Sequence, residues 1–288
     1  MNTNTIIGVG VLLGLCSVIA VLLLRRTSDD QVATFADVYQ LDLTPTSVAQ
    51  LRRLILRSRR FRFVGAVIAT AGSALWRGSP SLWGLLGALA VGFAVGSIAD
   101  ELQRPRMRGS GVVAASLDRR TVRTYAERWV LAATTIVVVV AVNQGWTLQQ
   151  IEPADVAPPD DGWVLRGLAV IIATLAFGAV ALRRIVQAPR INEPHELQAV
   201  RHAIRMAGVL SVIGAMNVLV GAVALSFATA TTLNDNGLAT WWQWVNNVSL
   251  VAAAAGFYTG IMLSIRAFPQ PPLFGRRNTI PFAHESDA

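Results

Sequence analysis

Residues 206–229 read MAGVLSVIGAMNVLVGAVALSFAT, and this stretch decides the fold. It holds no charged residue and is too long for a strand. As a helix rising 1.5 Å per residue it covers the roughly 30 Å of hydrocarbon in a bilayer. Six further apolar runs have the same character: 5–24, 61–75, 82–99, 129–143, 163–182 and 242–265. The run 61–75 is short and reaches across only if Arg60 and Arg62 snorkel to the interface. The expected fold is therefore all-α, a polytopic membrane protein of about seven transmembrane helices.

Composition agrees. The chain is 53% hydrophobic and only 15% charged, whereas soluble domains carry about 25% charged residues. Its net charge of +8 comes from 25 basic residues, all of them arginine. Without lysine there is no Schiff-base chemistry with retinal or pyridoxal phosphate and no P-loop. The arginines flank the apolar runs and do not gather on a soluble face, so nucleic acid is not an expected partner. Cys16, the single cysteine, reads as a buried thiol in a helix.

Arginine placement fixes an expected orientation. The first run has no arginine before it and Arg25-Arg26 after it, which predicts an outside N-terminus and a retained helix. An odd number of spans then puts the C-terminus in the cytoplasm of a multi-pass plasma-membrane protein. On this reading only Arg77 and Arg166 lie outside, against Glu152, Asp155, Asp160, Asp161 and Asp235. Tryptophans 76, 83, 146, 163, 241, 242 and 244 fall at the outer ends of spans, as an interfacial belt does.

A repeat runs through the helices. Gly92-Phe93-Ala94-Val95-Gly96 is followed by Pro105, and Gly256-Phe257-Tyr258-Thr259-Gly260 by Pro269, at the same spacing. Ala176-Phe177 stands at that spacing from Pro189, with Val180 in place of the second glycine. Small residues four apart let helix backbones approach closely in lipid, and proline at the exit stops the helix. The reading is one N-terminal helix (1–26), a cytoplasmic segment (27–60) and a six-helix bundle (61–267) of three pseudo-repeated hairpins, about 61–106, 128–190 and 205–269. A disordered tail (268–288) follows. Thr44-Pro45-Thr46-Ser47 reads as a helix start. The basic stretches 51–62, 117–128 and 197–205 are expected to lie along the cytoplasmic interface.

Chemistry is sparse. No ionisable residue falls near the middle of a span, where ion-coupled transporters and proton relays need one. Asp100 and Glu101, at an inner end, are expected to pair with Arg104 or with an arginine of another hairpin. Asn217, Asn246 and Asn247 are the candidate substrate-binding amides, with Asn143 a further intramembrane amide. Arg52, Arg53, Arg57, Arg59, Arg60, Arg119, Arg120 and Arg123 are candidates for binding lipid or a partner. His195 and His202 share a helix face but lack the companions of a metal site. No catalytic residue, metal or cofactor is expected.

The string Glu101-Leu102-Gln103-Arg104-Pro105-Arg106, then Ala115-Ser116-Leu117-Asp118-Arg119-Arg120 and Tyr125, resembles the loop signature E-L-x-R-P-R … A-S-L-x-x-R … Y of a group of actinobacterial multi-span membrane proteins. The all-arginine, Ala- and Val-rich composition suits such a source. The resemblance covers about 25 residues and brings no catalytic residue with it. Some members of that group look like neighbours of ABC-transporter and GntR-type regulator genes, so the resemblance implies an ABC-type ATPase, a regulator or another membrane subunit as partner beside the lipid bilayer. The expected role is a non-enzymatic accessory or permease-like component of a transport-related complex. The alternatives are a self-contained transporter of an apolar or amphipathic solute and, behind it, a lipid-acting enzyme using Asp100 and Glu101.

Overall fold

A computed structural model describes residues 29–41, 43–77, 82–103, 121–150, 162–187, 195–233 and 240–268. The first apolar run, 5–24, lies outside them, as do Pro105, Pro189, Pro269 and the tail beyond 268. The described residues form seven α-helices: α1 (Asp29–Tyr39), α2 (Pro45–Arg77), α3 (Leu82–Gln103), α4 (Arg128–Gln150), α5 (Trp163–Val186), α6 (His195–Leu233) and α7 (Thr240–Ala267). A single 3-10 turn, Val122–Thr124, precedes α4.

Four of these helices are long and apolar enough to cross a membrane: Arg128–Leu148, Val164–Val186, Gln198–Thr231 and Gln243–Ala267. They are α4 to α7. Among the described residues α2 and α3 do not meet that test; α2 carries a run of arginines.

Helix α6 is the axis. It is buried on every side along most of its span, with Ala207, Val212, Ala215 and Asn217 at 0% exposure. Helices α3, α4, α5 and α7 pack around it. The outer faces of α4, α5 and α7 carry Ile136, Val139, Ile172, Phe177, Val248 and Val251, all exposed, which suits lipid contact. Contacts at the two ends show the helices alternating in direction. Asp100 near the end of α3 meets Arg57 in the first half of α2, while Gln144 near the end of α4 meets Thr231 near the end of α6.

Thr44-Pro45-Thr46-Ser47 does start a helix. The Thr44 N–H donates to Ser47 Oγ (2.9 Å) and the Ser47 N–H to Thr44 Oγ1 (3.4 Å), a reciprocal cap with proline in the first helical position. The helix then runs unbroken for 33 residues, about 50 Å. Helix α6 has 39 residues, about 58 Å. Each exceeds the hydrocarbon thickness by some 20 Å or more. The basic stretches 51–62 and 197–205 are thus continuous with the helices that follow them. The cause is a core that the apolar pattern alone does not announce. Phe35, Leu43, Leu51, Val200, Ala203 and Phe268 cluster with their neighbours into a cap at the basic end. The cap joins α1, the first halves of α2 and α6, and the end of α7. Tyr39 closes it, its hydroxyl donating to the Ala267 carbonyl (3.3 Å).

The glycine repeat has a physical counterpart in its two outer members. A Cβ placed on Gly92 would meet the Gly65 carbonyl oxygen, with Ala69 Cβ at 2.7 Å and Ala66 Cα at 2.8 Å. One on Gly96 would meet the Phe61 carbonyl, with Arg62 Cα at 2.8 Å. In the last hairpin a Cβ on Gly260 would lie 2.6 Å from the Gly214 carbonyl oxygen. Gly256 instead fits the Val137 side chain of α4. The middle member packs differently. Phe177 and Val180 are exposed, and it is Gly178 that abuts Met216. Helices α4 and α5 pack chiefly on α6 and little on each other.

Candidate functional site

Two groups of buried polar residues stand out. The first lies at the basic end, where α2, α3 and α6 meet. Asp100 (1% exposed), Glu101 (4%), Arg59 (7%) and Arg62 (5%) are all buried. Arg57 Nε donates to Asp100 Oδ1 at 3.2 Å, and its guanidinium lies 5.4 Å from the centre of the Phe61 ring. Asp100 is thus paired with an arginine of its own hairpin; Arg104 lies outside the described residues. Glu101 turns towards α6, where the missing side chain of Gly208 leaves it room: a Cβ there would stand 3.1 Å from Oε1.

Arg62 does not snorkel. Its guanidinium lies 5.0 Å from the Phe93 ring centre and 4.5 Å from that of Phe268, and Nη2 donates to Ser211 Oγ at 2.7 Å. Aromatic faces attract a desolvated guanidinium, and a charge-assisted hydrogen bond adds to this. One side chain so ties α2 to α3, α6 and the end of α7. Arg184 Nη1 donates to the Leu102 carbonyl and brings in the end of α5. The cluster has the form of an inter-helix clamp, with its acids engaged in packing and pairing.

Among the candidate arginines, Arg52, Arg53 and Arg60 are exposed on the outside of α2, Arg57 is half-buried and Arg59 is buried. Arg59 is thereby withdrawn from any lipid- or partner-binding face, because the turn of the helix carries it inward with Arg62. Arg119 and Arg120 lie outside the described residues, and of Arg123 only the backbone is described. His202 is exposed and packs its ring 5.3 Å from that of Tyr125. No group of three or more His, Cys, Asp or Glu converges among the described residues.

The second group lies between α4, α6 and α7. The buried stripe of α7 is small or polar for most of its length, Asn246, Ser249, Ala253, Gly256, Gly260 and Ser264, with Leu263 the large apolar member near its end. It faces Gly214 and Gly221 of α6, whose added Cβ atoms would stand 2.6 Å from Ser264 Oγ and 3.0 Å from Phe257 Cα. Asn217 falls on the same face of α6, between those glycines and the side of Ile213 and Val220. It is 0% exposed, and neither Oδ1 nor Nδ2 has a hydrogen-bond partner.

Asn246 is also buried, but the antiparallel register sets it about 20 Å along the axis from Asn217, so the two amides are stations on one seam and do not form one pocket. Asn247, one residue and 100° further round the helix, is exposed and stands off that seam. Near Asn246 the seam also holds Thr231 (0%) and Gln144 (1%), joined at 3.2 Å. Gln144 replaces the expected Asn143, which is exposed. The signal that could have found it is the spacing Val130, Thr134, Val137, Ala141, Gln144, which marks one inward face.

Compared with protein families, with curated proteins and with solved structures, the chain gives no match.

Proposed function

We propose that this chain is a non-enzymatic, permease-like component of a membrane complex, with α2, α3 and the run 5–24 completing a seven-span topology. The basic end faces the cytoplasm and the N-terminus lies outside. The observation that carries the reading is the cap. The first halves of α2 and α6 pack as one unit with α1, and the outer side of α2 presents Arg52, Arg53 and Arg60. A rigid basic surface standing clear of the headgroups suits a cytoplasmic subunit, such as an ABC-type ATPase, better than it suits lipid alone. Asp100 and Glu101 are buried within the clamp, which counts against these two carboxylates as the acid and base of the lipid-acting alternative.

The test is purification in a gentle detergent with mass spectrometry of what accompanies the protein. The expected result is a membrane subunit or ATPase that is lost when Arg52, Arg53 and Arg60 are all changed to Glu. A clean, homogeneous preparation of the wild-type chain alone would end this reading. The self-contained transporter is the second reading, and Asn217 is what favours it.

A further inference from the structure

We infer that the seam between α6 and α7, closed on its third side by α4, is a site for a small uncharged molecule that both gives and accepts hydrogen bonds. Asn217 is its central contact. The inference concerns the seam alone and does not rest on the docking role of the cap.

Three observations converge. Asn217 is completely buried and leaves both a donor and an acceptor unused. Such an amide in a dry interior is costly, and a molecule offering one acceptor and one donor satisfies both atoms at once. The groups around it are suited to such a guest. On α4 the inward stripe places Thr134 between Val130, which clusters with Val209 and Ile213 of α6, and Val137, which meets Gly256 of α7. That puts Thr134 at the height of Asn217. Its hydroxyl already donates to the Val130 carbonyl (3.0 Å), so its lone pairs remain as acceptors.

The seam is also continuous. Ser264 lies on its side towards the basic end, and Ser249, Asn246, Thr231 and Gln144 lie towards the other. Among the described residues no ionisable side chain is on the α7 stripe between Asn246 and Ser264. A neutral guest fits such a lining, and an ion does not.

Size follows from the glycines. At Gly214 and Gly260 the two backbones are close enough that a Cβ would stand 2.6 Å from the facing atom. The closed seam has no room for even a Cβ at these two positions, so a neutral guest such as water, a polyol or urea enters by separation of α7 from α6.

The experiment uses the full chain in proteoliposomes, with osmotic stopped-flow light scattering as the readout and water, glycerol and urea as separate probes. Asn217→Leu removes the hydrogen-bonding atoms at similar volume, and Thr134→Val does the same on α4. Thermal unfolding of each variant is measured alongside. The expected result is flux above empty vesicles, lowered at least tenfold by Asn217→Leu and several-fold by Thr134→Val, with the melting temperature of Asn217→Leu unchanged or raised. Glycerol or urea flux identifies a solute site. Water flux alone identifies a water site of the same chemistry. Flux no greater than that of empty vesicles overturns the inference, as does wild-type flux in both variants. So does a large fall in the melting temperature of Asn217→Leu combined with wild-type flux in Thr134→Val, because Asn217 is then glue between helices.

Discussion

Replacing Gly92 by Ala should separate α2 from α3, and Gly72→Ala should not. The two positions lie in the same hairpin and the change is chemically identical. At Gly92 the new methyl group would sit 2.7 Å from Ala69 Cβ and 2.8 Å from Ala66 Cα, with the Gly65 carbonyl oxygen closer still. Carbon atoms in contact stand about 3.5–4.0 Å apart, so the helices must part by about 1 Å. None of these neighbours is a flexible side chain that can swing aside. Parting the helices also loosens the contacts of Gly96 with Phe61 and Arg62 and draws Asp100 from Arg57. Overpacking of this kind costs about 1–3 kcal/mol, and the upper half of that range applies where only backbone can yield. At Gly72 nothing lies within 4 Å, so the alanine there is neutral or gains up to about 1 kcal/mol of helix propensity. The assay is thermal unfolding in mild detergent by tryptophan fluorescence, at one scan rate for all variants. Gly92→Ala should melt well below wild type and Gly72→Ala at or above it. Equal melting temperatures for the two variants would refute the close approach of these helices.

Further outcomes follow from the cap and the clamp. Asp100→Asn should destabilise by about 1–3 kcal/mol, less than a fully buried pair because the Arg57 side chain is 33% exposed; chemical denaturation of the purified protein measures it. Arg62→Lys should lower the melting temperature although it keeps the charge, since an ammonium cannot lie flat between Phe93 and Phe268 and also reach Ser211. Burial pushes the Tyr39 hydroxyl up to about 12. The folded state therefore holds this proton after the unfolded chain, near 10, has lost it. Its stabilisation is complete below pH 10 and is lost as pH rises from 10 to 12. In Tyr39→Phe that alkaline fall should shrink when melting is followed between pH 8 and 12. With Cys16 changed to Ser, an impermeant maleimide should label Arg53→Cys from the cytoplasmic side of vesicles and Trp146→Cys from the other. The reverse pattern would invert the orientation.

The apolar runs and the arginine pattern made the helical membrane class legible, because both reflect one-dimensional constraints: the thickness of hydrocarbon and the cost of charge within it. The Thr44-Pro45-Thr46-Ser47 start was legible for the same reason, since a cap is made by neighbours in sequence. What escaped depends on groups far apart in the chain. Whether Arg62 snorkels or is buried is decided by Phe93, Ser211 and Phe268, none of which its own helix reveals. Asn143 and Gln144 are adjacent amides, and only the phase of α4 against α6 determines which one turns inward. The first halves of α2 and α6 looked amphipathic in isolation. Their true partner is a core assembled from four segments of chain.

The central position of α6 has a consequence for how the protein is made. Every helix of the bundle except α7 leaves the ribosome before the axis on which it packs. Helices α2 and α3 can join at once through Gly65, Gly92 and Gly96. Helices α4 and α5 complete little of their packing before α6, because they have little contact with each other, α5 reaches only the end of α3 through Arg184, and Gln144 has its partner Thr231 on α6. At about 5–20 residues per second, the wait for α6 lasts several seconds. During that interval α4 and α5 are incompletely packed, recognisable to an insertase that holds them or to a membrane protease that removes them. Chains truncated before residue 195 should be cleared quickly, and chains that reach residue 233 should persist.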